Sequence, residues 1–151
     1  MRLWRLVQAS RREHALDGEG AARYPGRWNQ RGTRMLYTAT SPSLAVLEVL
    51  AHVDPEDAPA HFILIELDIP GDPPPIVASL PDDWRELPSP ESTQRLGSSW
   101  ARKHTSLTLS VPSVHLPVVT EFIVLINPEH PDAPSIARHA EIPFVFDGRL
   151  L

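Results

Sequence analysis

The sequence has no cysteine and only one lysine, Lys103, among its 151 residues. Without cysteine there is no disulfide, no thiolate nucleophile and no thiolate ligand for a metal, so a reducing compartment is expected. No apolar run reaches the roughly 18 residues of a membrane span, and the N-terminal MRLWRLVQAS lacks a signal-peptide core. We therefore expect a cytoplasmic protein that does not enter a membrane.

Glycine-rich phosphate-binding motifs of the types G-x-G-x-x-G and G-x-x-x-x-G-K are also missing. The net charge of −5 argues against direct contact with nucleic acid. The charge is uneven, however, because residues 1–34 hold eight arginines and three acidic residues, whereas the rest holds 6 basic and 16 acidic residues. Arginine binds phosphate in a bidentate manner, so a few arginines are candidates for a phosphorylated ligand and the others for a solvated basic surface.

Seventeen prolines separate the short apolar runs, which indicates short elements and stiff loops in one domain spanning residues 1–151. The patterns predict helices at 41–53 and from residue 91, and strands at 3–7, 27–29, 35–39, 62–69, 107–111, 122–126 and 142–146. Helices and strands do not alternate strictly. We therefore predict an α+β fold, a single compact domain with a mixed or antiparallel sheet core flanked by helices.

The predicted helix at 41–53 is apolar almost all the way round and carries one carboxylate, Glu48. The Ser-Pro pair at 41–42 is suited to cap its first turn. A helix that is apolar on two stripes is normally buried, and a buried carboxylate is unfavourable unless it is paired or hydrogen-bonded. Glu48 is therefore expected to have a partner, with Arg27 and Tyr37 as the nearby candidates.

Arg27, Tyr37 and Glu48 can together form a site for a phosphorylated nucleoside. The cation would bind a phosphate or diphosphate, the aromatic ring a flat base, and the carboxylate a positive charge developing on a sugar. The alternative is structural, with Arg27 and Glu48 as a buried ion pair and Tyr37 in the core. Glu48 and His52 have the i, i+4 spacing of metal ligands, but no third ligand matches, so no metal site is expected. A metal-dependent hydrolase is the alternative for that pair.

Several motifs, spread over nearly the whole chain, resemble the RES-domain family, toxins of bacterial toxin–antitoxin pairs. They are LWR (3–5), GRWNQRG (26–32), LYTATSPSLAVLEVLAH (36–52), VPS (111–113), INPEHP (126–131) and the terminal FDGRL (146–150). The resemblance implies a fold similar to that of the ADP-ribosyltransferase toxins, and an enzyme that consumes NAD+ as its substrate without a metal. The implied reaction cleaves the nicotinamide–ribose bond by hydrolysis or phosphorolysis, or transfers ADP-ribose to a protein.

The resemblance also assigns functional residues. The family's catalytic arginine, tyrosine, glutamate and serine correspond to Arg27, Tyr37, Glu48 and Ser113. Arg27 and Tyr37 would also bind NAD+, and the further positions expected to border its pocket are Tyr24, Arg5 and Arg31.

A partner is implied as well, namely a cognate Xre-type antitoxin whose helix-turn-helix domain contacts DNA. We expect a hetero-oligomer with this antitoxin, with a toxin dimer as one option, in which this chain does not touch DNA. One position departs from the family pattern, because Ile123 stands where an asparagine usually precedes the Asn-Pro pair. This departure leaves open an inactive module that binds NAD+ or the antitoxin without turnover.

Overall fold

A computed structural model describes residues 1–54 and 61–151, and they form an antiparallel sheet with helices. The elements are β1 (Arg2–Gln8), α1 (Glu19–Arg23), β2 (Leu36–Ala39), α2 (Pro42–Leu50), β3 (Phe62–Asp68), α3 (Glu91–Lys103), β4 (Thr108–Val111), β5 (Ile123–Ile126) and β6 (Ala137–Phe144). The six strands lie in the order β4-β5-β2-β1-β3-β6, and all neighbouring pairs are antiparallel. The predicted α+β class is thus confirmed.

Apolar clusters pack against both faces of the sheet. Successive side chains of a strand point to opposite faces, so the same strands contribute to both clusters. Leu6 and Leu125 belong to one apolar cluster, which also includes Leu44 of α2. Leu3 and Val124 belong to a second cluster, formed by the alternate positions of the same strands. The helix α2 therefore covers one face only.

The centre of the sheet is weakly joined. β1 pairs with β3 along its whole length, but it pairs with β2 only at Trp4 and Ala39. Beside that pair, the Arg5 guanidinium bridges the strands, since its Nη1 donates to the carbonyl oxygen of Tyr37 at 2.8 Å and its Nε to that of Ala15 at 3.0 Å. The Arg5 side chain thus links β1 to β2 where the ladder pairing is short. The space between the strands opens beside α2.

The prediction of a strand at residues 27–29 is wrong, because this segment forms a turn. The buried Asn29 side chain accepts a hydrogen bond from Gly26 N at 3.0 Å and donates to the carbonyl oxygen of Ala21 at 2.8 Å. The Tyr37 hydroxyl accepts from Trp28 N at 3.0 Å. These side-chain contacts satisfy backbone groups that a hairpin ladder would otherwise pair.

Several element boundaries also differ from the predicted ones. The helix α2 ends at Leu50 and not at Val53, and β6 starts at Ala137, five residues before the predicted residue 142. β6 follows β3 over the length of that strand. Pairing with a neighbouring strand therefore extends β6 into a stretch that has no clear alternating pattern of its own.

Candidate active site

A cavity of about 440 Å³ lies where the sheet is weakly joined, beside α2. This volume is within the range of small-molecule and cofactor sites. The structure brings six of the seven residues expected at the site to its lining, namely Arg5, Tyr24, Arg27, Tyr37, Glu48 and Ser113. The seventh, Arg31, is exposed and is not among the residues that line this cavity.

Glu48 projects from α2, whose start is fixed by the predicted cap. Ser41 Oγ accepts from Leu44 N at 3.1 Å, and Pro42 occupies the first turn. Oε1 of Glu48 accepts a hydrogen bond from Ser113 Oγ at 2.5 Å, and Oε2 lies 3.7 Å from His115 Nε2. A carboxylate on a rigid helix is thereby fixed at the wall of the cavity.

Two expectations about Glu48 are corrected by this arrangement. Its partners in the described part of the chain are Ser113 and His115, and not Arg27 or Tyr37. The helix is also only half-buried, and the Glu48 side chain keeps 27% of its exposure. The reason is that one side of α2 borders a cavity and is not covered by packed side chains.

Arg27 is held at the cavity by the backbone of another segment. Its Nη1 donates to the carbonyl oxygens of Trp84 and Glu86, at 2.7 and 2.9 Å. Burial lowers the pKa of Arg27, and the negative charge of Glu48 opposes that shift. The arginine is thus oriented by neutral acceptors, and its charge acts across the cavity on the carboxylate. The alternative of a direct Arg27–Glu48 ion pair does not occur among the described contacts.

The phenol of Tyr37 is largely buried, and the residue also lines the cavity. Its hydroxyl donates to Asn29 Oδ1 at 2.7 Å while accepting from Trp28 N. Burial raises the pKa of Tyr37 well above its usual value of 10, so the hydroxyl stays protonated. Gly26 is required beside it, because a Cβ there would lie 2.7 Å from the Tyr37 hydroxyl. Tyr37 therefore fixes the loop that carries Arg27 and contributes its ring to the lining.

Two residues at or behind the site were not identified from the sequence: Asn29 and His115. Asn29 lies in the GRWN motif, which was the available signal, but its hydrogen bonds depend on the folded loop. His52 and His115 line the cavity, and their rings meet edge to face with centroids 6.5 Å apart. The sequence offered His52 only as a metal-ligand candidate with Glu48, and nothing in it distinguishes His115 from the other histidines.

Glu48 and His52, the pair considered as metal ligands, both line the cavity. His52 Nδ1 lies 2.8 Å from the carbonyl oxygen of Glu48, which only accepts, so this nitrogen carries the proton. Within residues 1–54 and 61–151, no group of three His, Asp or Glu side chains is placed to hold a metal ion.

Ile123, the departure from the family pattern, is buried on β5 and contributes an apolar side chain to the cavity wall.

The fold and cavity define an α+β protein with a preformed cavity of small-molecule size, lined by an arginine, a tyrosine and a glutamate among other residues. Residues 2–147 match the family model described as the RES domain, and the chain belongs to the RES domain family. The resemblance inferred from the motifs is therefore confirmed. In the described part of the chain, no helix has both the length and the apolar character for crossing a membrane.

Curated relatives align over nearly the full length of the chain. A protein named Toxin Res from Yersinia enterocolitica is 35% identical, with 99% of each chain covered. Another Toxin Res, from Pseudomonas putida, is 37% identical, again with 99% of each chain covered. A Prs ADP-ribosylating toxin from Sphingobium sp. is 34% identical and covers 98% of this chain and 95% of the relative.

A solved structure shows the same fold. The chain resembles one chain of the M. tuberculosis MbcT–MbcA toxin–antitoxin complex with a TM-score of 0.74 and 19% sequence identity. The match covers 95% of this chain and 84% of that chain.

Proposed function

We propose that this protein is the toxin of a bacterial toxin–antitoxin pair and that it consumes NAD+ by breaking the bond between nicotinamide and ribose. The observation that carries the proposal is the shared cavity, which places Glu48, fixed by Ser113, opposite the charge of Arg27 and beside Tyr37. Membership in the RES domain family and the toxin names of its relatives support the biological role.

NAD+ would be held mainly by Arg27 and Tyr37. The Arg27 Nη1 atom is engaged by two carbonyls, whereas the remaining guanidinium donors make no hydrogen bond within residues 1–54 and 61–151 and are available for a diphosphate. The ring of Tyr37 offers a flat surface to nicotinamide or its ribose, and Tyr24 offers another at the mouth. Arg5 contributes charge near the diphosphate, although burial lowers its pKa to about 10 and two backbone carbonyls already accept from it. Arg31 is left out because it lies outside the cavity lining.

The proposed chemistry balances without a metal or an oxidant. The C1′–N1 bond breaks, and its electron pair moves to the nicotinamide nitrogen, which loses its positive charge. An oxocarbenium-like centre develops on the ribose, where the negative charge of Glu48 stabilises it. An oxygen of water or inorganic phosphate then bonds to C1′, and the proton of that acceptor is released.

Transfer of ADP-ribose to a protein side chain is the second candidate. The specific support is the relative named Prs ADP-ribosylating toxin, which is 34% identical over nearly its whole length. The two candidates share the same bond cleavage and differ only in the acceptor. The inactive-module alternative shares the binding step and lacks cleavage, and the apolar Ile123 at the cavity wall is its structural support.

We also propose that a cognate Xre-type antitoxin, with its own DNA-binding domain, covers the mouth of this cavity in the cytoplasm. Tyr24 and Leu87 line the cavity and are 72% and 83% exposed, so two large side chains with apolar surface are exposed at its opening. Exposed apolar surface of this kind is typical of protein contacts. The MbcT–MbcA complex, a toxin–antitoxin assembly with the same fold, supports such a partner.

The direct test is to incubate the purified protein with NAD+ and identify the products by mass, with and without inorganic phosphate. Free nicotinamide with ADP-ribose indicates hydrolysis, and nicotinamide with a phosphorylated ADP-ribose indicates phosphorolysis. Release that requires an added protein acceptor indicates transfer. Tight NAD+ binding with no product under any of these conditions would contradict the proposal and favour the inactive module.

The matched variant is Glu48→Gln, which keeps the shape of the side chain and removes its charge. Loss of one preorganised stabilising group amounts to about 3–4 kcal/mol, so turnover should fall roughly 10²- to 10³-fold. The melting temperature should change little, because Gln can still accept from Ser113 and its side chain is partly exposed. Unfolding of the variant, instead of inactivation, would favour a structural role for Glu48.

A further inference from the structure

We propose that His115 is a positioning residue for Glu48, holding the second carboxylate oxygen in place by charge while Ser113 holds the first. The inference rests on the proposed NAD+ cleavage and adds a residue that neither the motifs nor the names of the relatives assign. His115 would act through Glu48, without bonding to the reacting atoms.

The segment that follows β4 supplies both contacts to the carboxylate. Ser113 Oγ donates to Oε1 at 2.5 Å, and His115 Nε2 lies 3.7 Å from Oε2, within ion-pair distance. The two contacting residues are also joined to each other, because His115 N donates to Ser113 Oγ at 3.1 Å. The carboxylate, the hydroxyl and the imidazole therefore form one connected unit.

The described contacts place three charged or titratable groups around the segment of His115. Glu48 and His52 approach from α2, and the His52 ring meets the His115 ring edge to face. Arg85 approaches from the segment before α3, where its guanidinium donates to the carbonyl oxygens of Val114 and Leu116. Arg85 thus fastens the backbone on both sides of His115, which lets the imidazole hold a fixed position.

This geometry gives the histidine a use in catalysis. A carboxylate that is contacted at both oxygens has less freedom to rotate, and a preorganised charge stabilises a transition state without reorganisation. A cation at this position attracts the carboxylate and a neutral side chain does not, so turnover should depend on the charge carried at position 115.

The kinetic test compares kcat and KM for NAD+ in the wild type, His115→Ala and His115→Lys. The alanine variant should lower kcat about tenfold to a hundredfold with little change in KM, the scale of a misplaced catalytic group. The lysine variant places a positive charge at the same position, so it should recover most of kcat. His139→Ala on β6, where the side chain is exposed and outside the cavity, is the matched control.

A second measurement does not depend on turnover. The His115 ring resonances, assigned with the His115→Ala variant, are compared by NMR between the wild type and Glu48→Gln. The pairing predicts that removing the carboxylate charge shifts these resonances. Unchanged resonances would overturn the pairing even if NAD+ is cleaved, as would an alanine variant with unaltered kcat. Failure of the wild type to cleave NAD+, with the resonances still sensitive to Glu48→Gln, would overturn the proposed function and the role in turnover, but not the contact.

Discussion

At the scale of single residues, the site depends on how its polar groups are held. Glu48 is not neutralised by an arginine, because its oxygens meet a hydroxyl and an imidazole. Arg27 is held by backbone carbonyls, which are neutral. Each charge is therefore positioned without being cancelled by the other, and both act on whatever occupies the cavity.

The first residue-scale prediction concerns Arg27. If it binds the diphosphate equally in the ground state and the transition state, Arg27→Ala should raise KM for NAD+ at least tenfold and leave kcat nearly unchanged. Arg27→Lys should lie between, since lysine keeps the charge and loses the fork of donors. Steady-state kinetics give both constants, and Arg102→Ala, at an exposed position of α3, provides the control. A fall in kcat at unchanged KM would assign Arg27 to the transition state.

The second residue-scale prediction concerns Tyr37 at alkaline pH. Burial raises the pKa of its phenol in the folded protein, so the unfolded chain ionises first as pH rises. The stabilisation from Tyr37 is therefore complete below about pH 10 and is lost above it, at up to about 1.4 kcal/mol per pH unit. Denaturant unfolding between pH 8 and 11 should show a steeper loss in the wild type than in Tyr37→Phe. Equal slopes would mean that this phenol is not protected by the fold.

At the scale of elements, α3 supports the loop that carries Arg27. Ser98 Oγ accepts from Gln30 N at 2.8 Å, and Gln94 Nε2 donates to the carbonyl oxygen of Gly26 at 3.1 Å. Gly97 lies between these contacts, and it lets the helix backbone approach the turn closely. A glycine that weakens the helical pattern in the sequence is thus needed for the packing of the site.

The element-scale prediction is that Gly97→Ala destabilises the protein. The added Cβ would lie 1.9 Å from the carbonyl oxygen of Trp28, so a backbone must move, and overpacking of this kind costs about 1–3 kcal/mol. Helix propensity alone predicts the opposite sign, a gain of about 1 kcal/mol. The free energy of unfolding from denaturant titration distinguishes the two.

The matched control for this test is Gly20→Ala in α1. A Cβ at Gly20 would have no neighbour within 4 Å, so this variant should be neutral or slightly stabilised. If both alanine variants are stabilised alike, the close approach of α3 to the turn is not what requires Gly97.

At the scale of the whole molecule, one sheet joins two apolar clusters. The same strands supply both clusters, so neither can be exposed without breaking the sheet. We predict that residues 1–151 unfold as one domain, in a single calorimetric transition whose calorimetric and van't Hoff enthalpies agree. Two resolved transitions would show that one part of the chain unfolds independently of the other.

The sequence determined those features that depend on neighbouring residues. The Ser41 cap and the Pro42 start of α2 are confirmed, as are most strands whose alternation or apolar run is clear, such as β3. The RES motifs also indicated the family, because their spacing follows from the loops and caps that they form. Local hydrogen bonding and side-chain periodicity are properties of a short segment, so the order of residues suffices to reveal them.

Only the tertiary structure decided which groups meet. Ser113 and His115 are 65 and 67 positions from Glu48 in the chain, and no periodicity relates them. The segment at 27–29 forms a turn and not the predicted strand, because the distant Tyr37 hydroxyl accepts from Trp28 N and Asn29 Oδ1 accepts from Gly26 N. Burial and pairing depend on what packs against a residue from distant parts of the chain, and that information exists only once the sheet has brought those parts together.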